Sequence, residues 1–310
     1  MPELRKDYIL PRWVIIAEKR KTRPREFKKE EQIKESKICA FCPGNEALTP
    51  KEIGRLEYKN NWLIRWFPNK FPFIEKKGNP NIKTKKYFTK ADAYGYHEVI
   101  AETPDHNKQL SDLRDKHIAE ILKVYSLRIK DLLSKKGIKY VLVFKNHGRQ
   151  AGTSLIHSHT QLIAYNKVPK LVEEEIKYST KGKKCEYCKI IKIERKSKRF
   201  ISENKNFIAF CPFASRYNYE AWVFPKKHIK NITELNNNEL MDLAKIMKKL
   251  LVKIKDFDYN FYLHYAPKGT NLHFHIEICP RIASWGGFEL GSDTTINSIS
   301  PENAAKYYKS

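Results

Sequence analysis

No stretch of this 310-residue chain approaches the ~20 consecutive apolar residues of a membrane span. The opening Met1-Pro2-Glu3-Leu4-Arg5-Lys6-Asp7 also lacks the apolar core of a signal peptide. A cytoplasmic location and no membrane partner are therefore expected. Glycine is scarce, at 12 residues, and acid is outnumbered, with 35 Asp+Glu against 60 Lys+Arg for a net charge of +25. The excess charge is spread along the chain, and no RNA- or DNA-binding motif stands out. Small anionic substrates are thus preferred over nucleic acid, and a cationic surface speeds the capture of either. A basic nucleic-acid-binding protein built on metal knuckles is kept as an outside alternative. Hydrophobic content of 41 % and aromatic content of 12 % suffice for a globular core in one large domain or two ordinary ones. Abundant lysine and isoleucine with little glycine is compatible with a heat-adapted proteome.

Cysteines number only six, and four of them form two CxxC pairs, Cys39/Cys42 and Cys185/Cys188. Without a sign of secretion, metal binding or redox chemistry outranks structural disulfides. Pro43-Gly44 after the first pair argues for a knuckle rather than the helix start of a redox CxxC.

What is present is ordered around residues 144–163. A buried strand, Tyr140 to Phe144, runs into a loop with Gly148 and Gly152, and an extended segment resumes at Ser154. If that segment is a strand, its period of two puts His157, His159 and Gln161 on one face. Strands are also expected at Trp13–Ala17, Trp62–Phe67 and Tyr96–Ala101. The first is followed by a basic extended loop through Arg20 and Arg23, and a charged surface stretch is expected over 28–37. Apolar residues at three- and four-residue steps from Leu110 to Leu133 predict an amphipathic helix, ended by Lys136-Gly137. After a connection over 168–184 with a short helix at Leu171–Tyr178, the second half replays the first. It has Cys185/Cys188, strands at Phe207–Pro212 and Glu220–Pro225, and His228. A helix over Glu239–Lys255, a strand at Asn260–Tyr265 and the run His273-Phe274-His275-Ile276-Glu277 complete it.

Each half thus supplies two cysteines, a histidine after a strand and the first histidine of an HxH, which is a complete tetrahedral shell. One zinc is assigned to Cys39, Cys42, His106 and His157, and a second to Cys185, Cys188, His228 and His273. With His157 held by metal, His159 is free, and a backbone carbonyl on one ring nitrogen would leave the other to attack phosphorus. Gln161 adds a neutral donor to a phosphate oxygen. The corresponding second-half residues are His275 and Glu277; a glutamate there would repel phosphate, so that copy is expected to be scaffold or second-substrate surface.

The run Gly152-Thr153-Ser154-Leu155-Ile156-His157-Ser158-His159-Thr160-Gln161 resembles the active-site signature of the galactose-1-phosphate uridylyltransferase branch of the histidine-triad superfamily. Arg12 to Ile16, Lys21 to Pro24, Pro68-Asn69-Lys70-Phe71-Pro72, Pro104-Asp105-His106 and Gly287-Phe288-Glu289 extend the resemblance over nearly the whole chain. It implies an α+β fold of two fused histidine-triad-like halves (1–167 and 185–310) with antiparallel sheets and flanking helices, usually as a homodimer. It further implies ping-pong transfer of a nucleoside monophosphate from a nucleoside diphosphate sugar, through His159, to a hexose 1-phosphate. By position, Arg20, Arg23, Asn69, Phe71, Asn146, Ser154 and Gln161 would contact nucleotide and phosphate. Two departures stand out. Ser158 replaces a proline between the histidines, and Lys70 replaces an aspartate. With the second complete Cys/His set and the Gly-Phe-Glu ending, these are similar to the ADP-glucose phosphorylase type. The alternative acceptor is then phosphate, and the group moved is AMP.

Overall fold

The computed structural model describes residues 2–22, 38–59, 61–181 and 184–310. Expectations for Arg23 and for the charged stretch 28–37 lie outside them. In chain order the strands of the first half are β1 (Glu3–Lys6), β2 (Trp13–Ile16), β3 (Gly54–Tyr58), β4 (Asn61–Pro68), β5 (Lys83–Lys85), β6 (Phe88–Lys90), β7 (Gly95–Ala101), β8 (Tyr140–His147) and β9 (His159–Tyr165). Those that follow are β10 (Thr180–Lys181), β11 (Lys184–Cys185), β12 (Phe200–Glu203), β13 (Phe207–Phe210), β14 (Ala221–Pro225), β15 (Tyr259–His264), β16 (His275–Pro280) and β17 (Thr295–Asn297). The helices are α1 (Asp115–Leu133), α2 (Lys170–Ser179), α3 (Glu186–Glu194), α4 (Asn237–Lys253), α5 (Gly287–Ser292) and α6 (Pro301–Lys309).

Ten strands form one sheet in the order β12-β13-β14-β16-β15-β8-β9-β7-β4-β3. Read outward from the middle, each half contributes five strands in the same relative order. The halves meet where β15 runs antiparallel to β8, pairing Tyr259 with His147 and Tyr262 with Phe144. The expected α+β architecture of two like halves is therefore realised as one continuous antiparallel sheet. Alternation along β9 explains its two faces. Leu162 and Ala164 join the main core with α1 residues Ile121, Leu122, Tyr125 and Ile129, while His159 and Gln161 face the other way. Helices α1 and α4 lie in contact with each other and cover the core face of both halves.

On the opposite face a smaller apolar cluster of Phe41, Trp62, Phe67, Val99 and Ala101 seats the Cys39 knuckle. A register shift between Leu56 and Glu57 in the β3–β4 pair accommodates this. It lets Trp62 join Phe67 while Ile64 stays in the main core.

Helix α1 begins at Asp115 rather than Leu110, because Leu110–Asp112 is a separate 3-10 turn and Leu113 is extended. The N-terminal strands do not extend the first half's sheet. β2 pairs in parallel with β17, and Arg5 is bound by Glu302 at 3.1 Å and by the Phe213 carbonyl at 3.2 Å, so the start of the chain packs on the C-terminal half. No helix among the described residues is long and apolar enough to cross a membrane.

Candidate active site

Strand β9 starts at His159, not at Ser154. The loop persists through Ser158 because His157 is held from two sides. Its Nε2 bonds the Thr103 carbonyl at 2.7 Å, and its Nδ1 lies 3.6 Å from both Cys39 Sγ and Cys42 Sγ. Cys42 Sγ is 3.4 Å from His106 Nδ1. For zinc–sulfur and zinc–nitrogen bonds of ordinary length, tetrahedral geometry places S and N about 3.6 Å apart, so the donor set fits such an ion. Burial, with the neighbouring Cys39, pushes the Cys42 thiol up to about 11. A divalent cation reverses that preference and takes the thiolate.

The second set repeats the arrangement. Cys188 Sγ lies 3.4 Å from His228 Nδ1 and 3.5 Å from His273 Nδ1, and the far ring nitrogens bond Asn271 Oδ1 and the Pro225 carbonyl. Such partners fix the tautomer that leaves Nδ1 for metal. All eight predicted ligands thus gather into two groups of four. The local framework differs between them: Cys39 and Cys42 sit in turns, whereas Cys185 precedes α3 and Cys188 lies in its first turn.

His159 is 7 % exposed, and its Nδ1 donates to the His157 carbonyl at 2.8 Å. That leaves Nε2 with a lone pair. Burial, and next the charge of Lys145, lower its pKa to about 4, which keeps the ring neutral and nucleophilic. Phe41 meets the ring edge-on at 5.4 Å between centroids. A cavity opens beside His159, walled by Gln109, Asn146, His147, Gly148, Thr153 and Leu155. Gly148 and Gly152 have φ of +81° and +84°, a left-handed backbone that shapes this wall.

Of the other predicted contacts, Asn146 lines the cavity and receives a hydrogen bond from Asn260 Nδ2 at 2.9 Å. Gln161 lies two residues along β9 on the His159 face, its Oε1 2.8 Å from His97 Nε2. Asn69 stands next to it, its Nδ2 3.0 Å from the same nitrogen. Phe71 follows Asn69 and is 81 % exposed. Ser154 is exposed on the loop, where Thr153 and Leu155 face the cavity instead. Arg20 is exposed on the 3-10 turn Glu18–Thr22, outside the walls of the His159 cavity.

Several site residues escaped the sequence reading. Behind His159, on the core face, Glu102 is fully buried. Its Oε2 accepts from Lys145 at 2.5 Å and Ser158 at 2.6 Å, and its Oε1 from Thr160 at 2.5 Å and Tyr125 at 2.8 Å. Burial opposes the charge, yet Lys145 and the hydroxyls hold the Glu102 carboxyl below its usual range. Lys145 also donates to the His159 carbonyl at 3.0 Å. The available signal was a lysine directly after the apolar run Tyr140 to Phe144.

The second half's equivalent is different. His275 Nδ1 bonds the His273 carbonyl at 3.0 Å, as His159 does with His157. Its Nε2 instead faces Glu277 at 3.5 Å and Glu175 at 3.9 Å, and His264 is bonded to Glu175 at 2.9 Å. This buried quartet has the donors for a cation. Its carboxylates oppose a phosphate, as expected from Glu277.

Residues 1–169 match the family described as galactose-1-phosphate uridyl transferase, N-terminal domain, and residues 101–307 match a domain family of unknown function, DUF4921. The chain is 35 % identical to ADP-glucose phosphorylase of Arabidopsis thaliana, over 98 % of this chain and 92 % of that protein. It is 29 % identical to galactose-1-phosphate uridylyltransferase of Thermotoga maritima, over 99 % and 97 %. Among solved structures it resembles the Arabidopsis ADP-glucose phosphorylase with bound ADP-glucose, at TM-score 0.85 and 31 % identity over 100 % of this chain and 99 % of that one. A free, neutral histidine beside a Cys/His knuckle, on a sheet shared by two like halves, goes with these matches: the chain belongs to the galactose-1-phosphate uridyl transferase family.

Proposed function

We propose that the protein moves a nucleoside monophosphate between a nucleoside diphosphate sugar and a hexose 1-phosphate through a covalent nucleotidyl-His159 intermediate. The observation that carries this reading is the His159 ring itself, neutral, with Nδ1 tied to the His157 carbonyl and Nε2 left to react. In the first step the Nε2 lone pair attacks the α-phosphorus in line. The P–N bond forms, and the P–O bond to the sugar 1-phosphate breaks, its electron pair leaving with the departing oxygen. The positive charge gained by the ring is shared with the His157 carbonyl through Nδ1–H. In the second step an acceptor phosphate oxygen attacks, the P–N bond breaks, and His159 returns to its neutral form. Gln161 donates to a phosphate oxygen in both steps. Asn146, in the wall of the His159 cavity, is proposed to contact the nucleotide; Asn69, Phe71, Arg20 and Ser154 are proposed as further contacts from outside that wall, and Arg23 by its place in the sequence alone.

The second reading keeps the chemistry and moves AMP from ADP-glucose to phosphate. Ser158 and the 35 % identity to an ADP-glucose phosphorylase favour it. Intact-protein mass after brief incubation with UDP-glucose, and separately with ADP-glucose, decides between them. A gain equal to a uridylyl group, UMP less one water, supports the first reading and a gain equal to an adenylyl group, AMP less one water, the second. Either adduct is expected to vanish in His159→Asn; an active His159→Asn would end the proposal.

Zinc is the ion proposed for both Cys/His sets, in a structural role that holds His157 and hence the loop before His159. The boundaries 1–167, 168–184 and 185–310 are proposed for the two halves and their connection. A cytoplasmic homodimer is proposed from family membership, and sedimentation of the purified protein tests the dimer.

A further inference from the structure

His97 lies on β7, on the same face as the nucleophile. The β7–β9 register pairs Ala101 with His159 and Val99 with Gln161, which puts His97 one step further along that face. The side chain is 6 % exposed and is capped by the Phe73 ring at 4.7 Å. Its Nε2 is 2.8 Å from Gln161 Oε1, while its Nδ1 is buried with no hydrogen-bond partner among the described residues. A proton on Nδ1 would be a buried N–H with no acceptor, and Gln161 Oε1 would then face a lone pair. A proton on Nε2 satisfies both groups, so the network selects that tautomer. Burial lowers the pKa of His97 and keeps it neutral.

The neighbouring amide obeys the same logic. Asn69 Oδ1 accepts from the Phe71 N–H at 2.8 Å, so its amino group is the free end, 3.0 Å from His97 Nε2. That contact is donor to donor, and turning the Asn69 amino group toward a ligand relieves it. With both carbonyl oxygens occupied inside the protein, Gln161 and Asn69 present donors only, which is the polarity a phosphate or a ribose oxygen needs.

We propose that His97 is a positioning residue for nucleotidyl transfer, its Nε2–H holding the Gln161 carbonyl oxygen so that this amide offers only its amino group to the phosphate at His159. The proposal rests on the reading of His159 as nucleophile. Without His97 the Gln161 amide can turn over and point an oxygen at the phosphate, which loses a donor and adds a repulsion.

The test is a double-mutant cycle on the rate of nucleotidyl-enzyme formation, measured by rapid quench with ADP-glucose and with UDP-glucose. His97→Phe keeps the ring contact with Phe73 and removes the N–H. It is expected to slow adduct formation roughly tenfold, less than the ~100-fold or greater loss of an oxyanion donor itself, with half-saturating donor concentration and zinc content unchanged. His97→Gln places an amide N–H near the position of Nε2 and should recover most of the rate. In a Gln161→Ala background, His97→Phe should have no further effect, because the group it positions is gone. Equal slowing in both backgrounds, or no slowing with Gln161 intact, overturns the proposal while leaving His159 as nucleophile. Absence of any adduct in the unaltered protein removes both. If His97→Phe does not fold, His97→Asn against His97→Gln decides: the shorter amide falls short of Gln161, so equal rates for the two count against the assignment.

Discussion

Ser158 lies between two histidines with different partners, and its own side chain bonds neither ring. Its hydroxyl donates to Glu102, which Lys145 holds from the other side, and Lys145 in turn reaches the His159 carbonyl. The His159 imidazole is thereby fixed through its backbone as well as its ring. Removing one partner leaves a buried charge short of its bonds, which costs more than the bond itself contributes. Ser158→Ala is expected to lower stability by about 1.5–3 kcal/mol, the range for a hydrogen bond to a charged group, with adduct formation retained. Lys145→Met strands the Glu102 carboxylate and should cost about 3–5 kcal/mol. Thermal or urea denaturation of the two variants checks both figures, and the reverse ranking would show that Glu102 does not depend on Lys145 for its charge.

At the scale of elements, the loop between β8 and β9 decides where the chemistry sits. Gly148 turns it with φ of +81°, and a Cβ there would come within 1.9 Å of Asp258 Oδ1, the carboxylate whose other oxygen accepts from the Gln150 N–H at 2.6 Å. Gly148→Ala meets both a disfavoured backbone and a clash across the junction between the halves. Slower adduct formation and a lower melting temperature are expected together in this variant; an unchanged rate would mean that the loop does not shape the site.

The early end predicted for this loop, at Ser154, follows from reading alternation in sequence alone. The alternation of His157 and His159 is genuine, but His157 faces the knuckle from irregular backbone because Thr103 and the two cysteines hold it there. The same limit applies to α1. Its apolar spacing begins at Leu110, yet the first turn is 3-10, closed by the Gln109 N–H donating to Asp112 Oδ2 at 2.9 Å and the Asp112 N–H donating to the Gln109 carbonyl at 2.9 Å. The second CxxC differs again, because Cys188 is carried by a helix. Identical ligand spacing does not require identical local structure.

Across the whole molecule, one apolar cluster draws on both halves, from Ile64 and Ile129 in the first to Phe224 and Ile278 in the second. The β8 edge is covered by β15, and the first strands of the chain pair with β17. Separation at the connection would therefore expose an unpaired strand edge and a large apolar face. A fragment of residues 1–167 is expected to aggregate, and the full chain to unfold in a single cooperative step by calorimetry. A soluble fragment with native-like exchange protection would contradict this. Metal analysis should give two zinc ions per chain, falling to one in Cys39→Ser and to one in Cys185→Ser. Each loss should lower thermal stability, because a structural metal contributes folding free energy directly. Full stability after chelation would remove the structural role.

Much of this protein was legible in its residues. Two CxxC pairs, two HxH runs and matching strand and helix signals in the same order disclosed the repeat and the eight Cys/His donors that gather into two groups of four, because metal donors are few in kind. The HxHxQ run marked the histidine and the amide that share one face of β9. The sequence could not join the halves into one sheet, since strand pairing between residues more than a hundred apart leaves no local trace. Nor could it set His97 against Gln161, or Lys145, Ser158 and Thr160 around Glu102. Those contacts exist only where β7, β8, β9 and α1 converge. Chemistry was written in residue types, and its orientation was decided by packing.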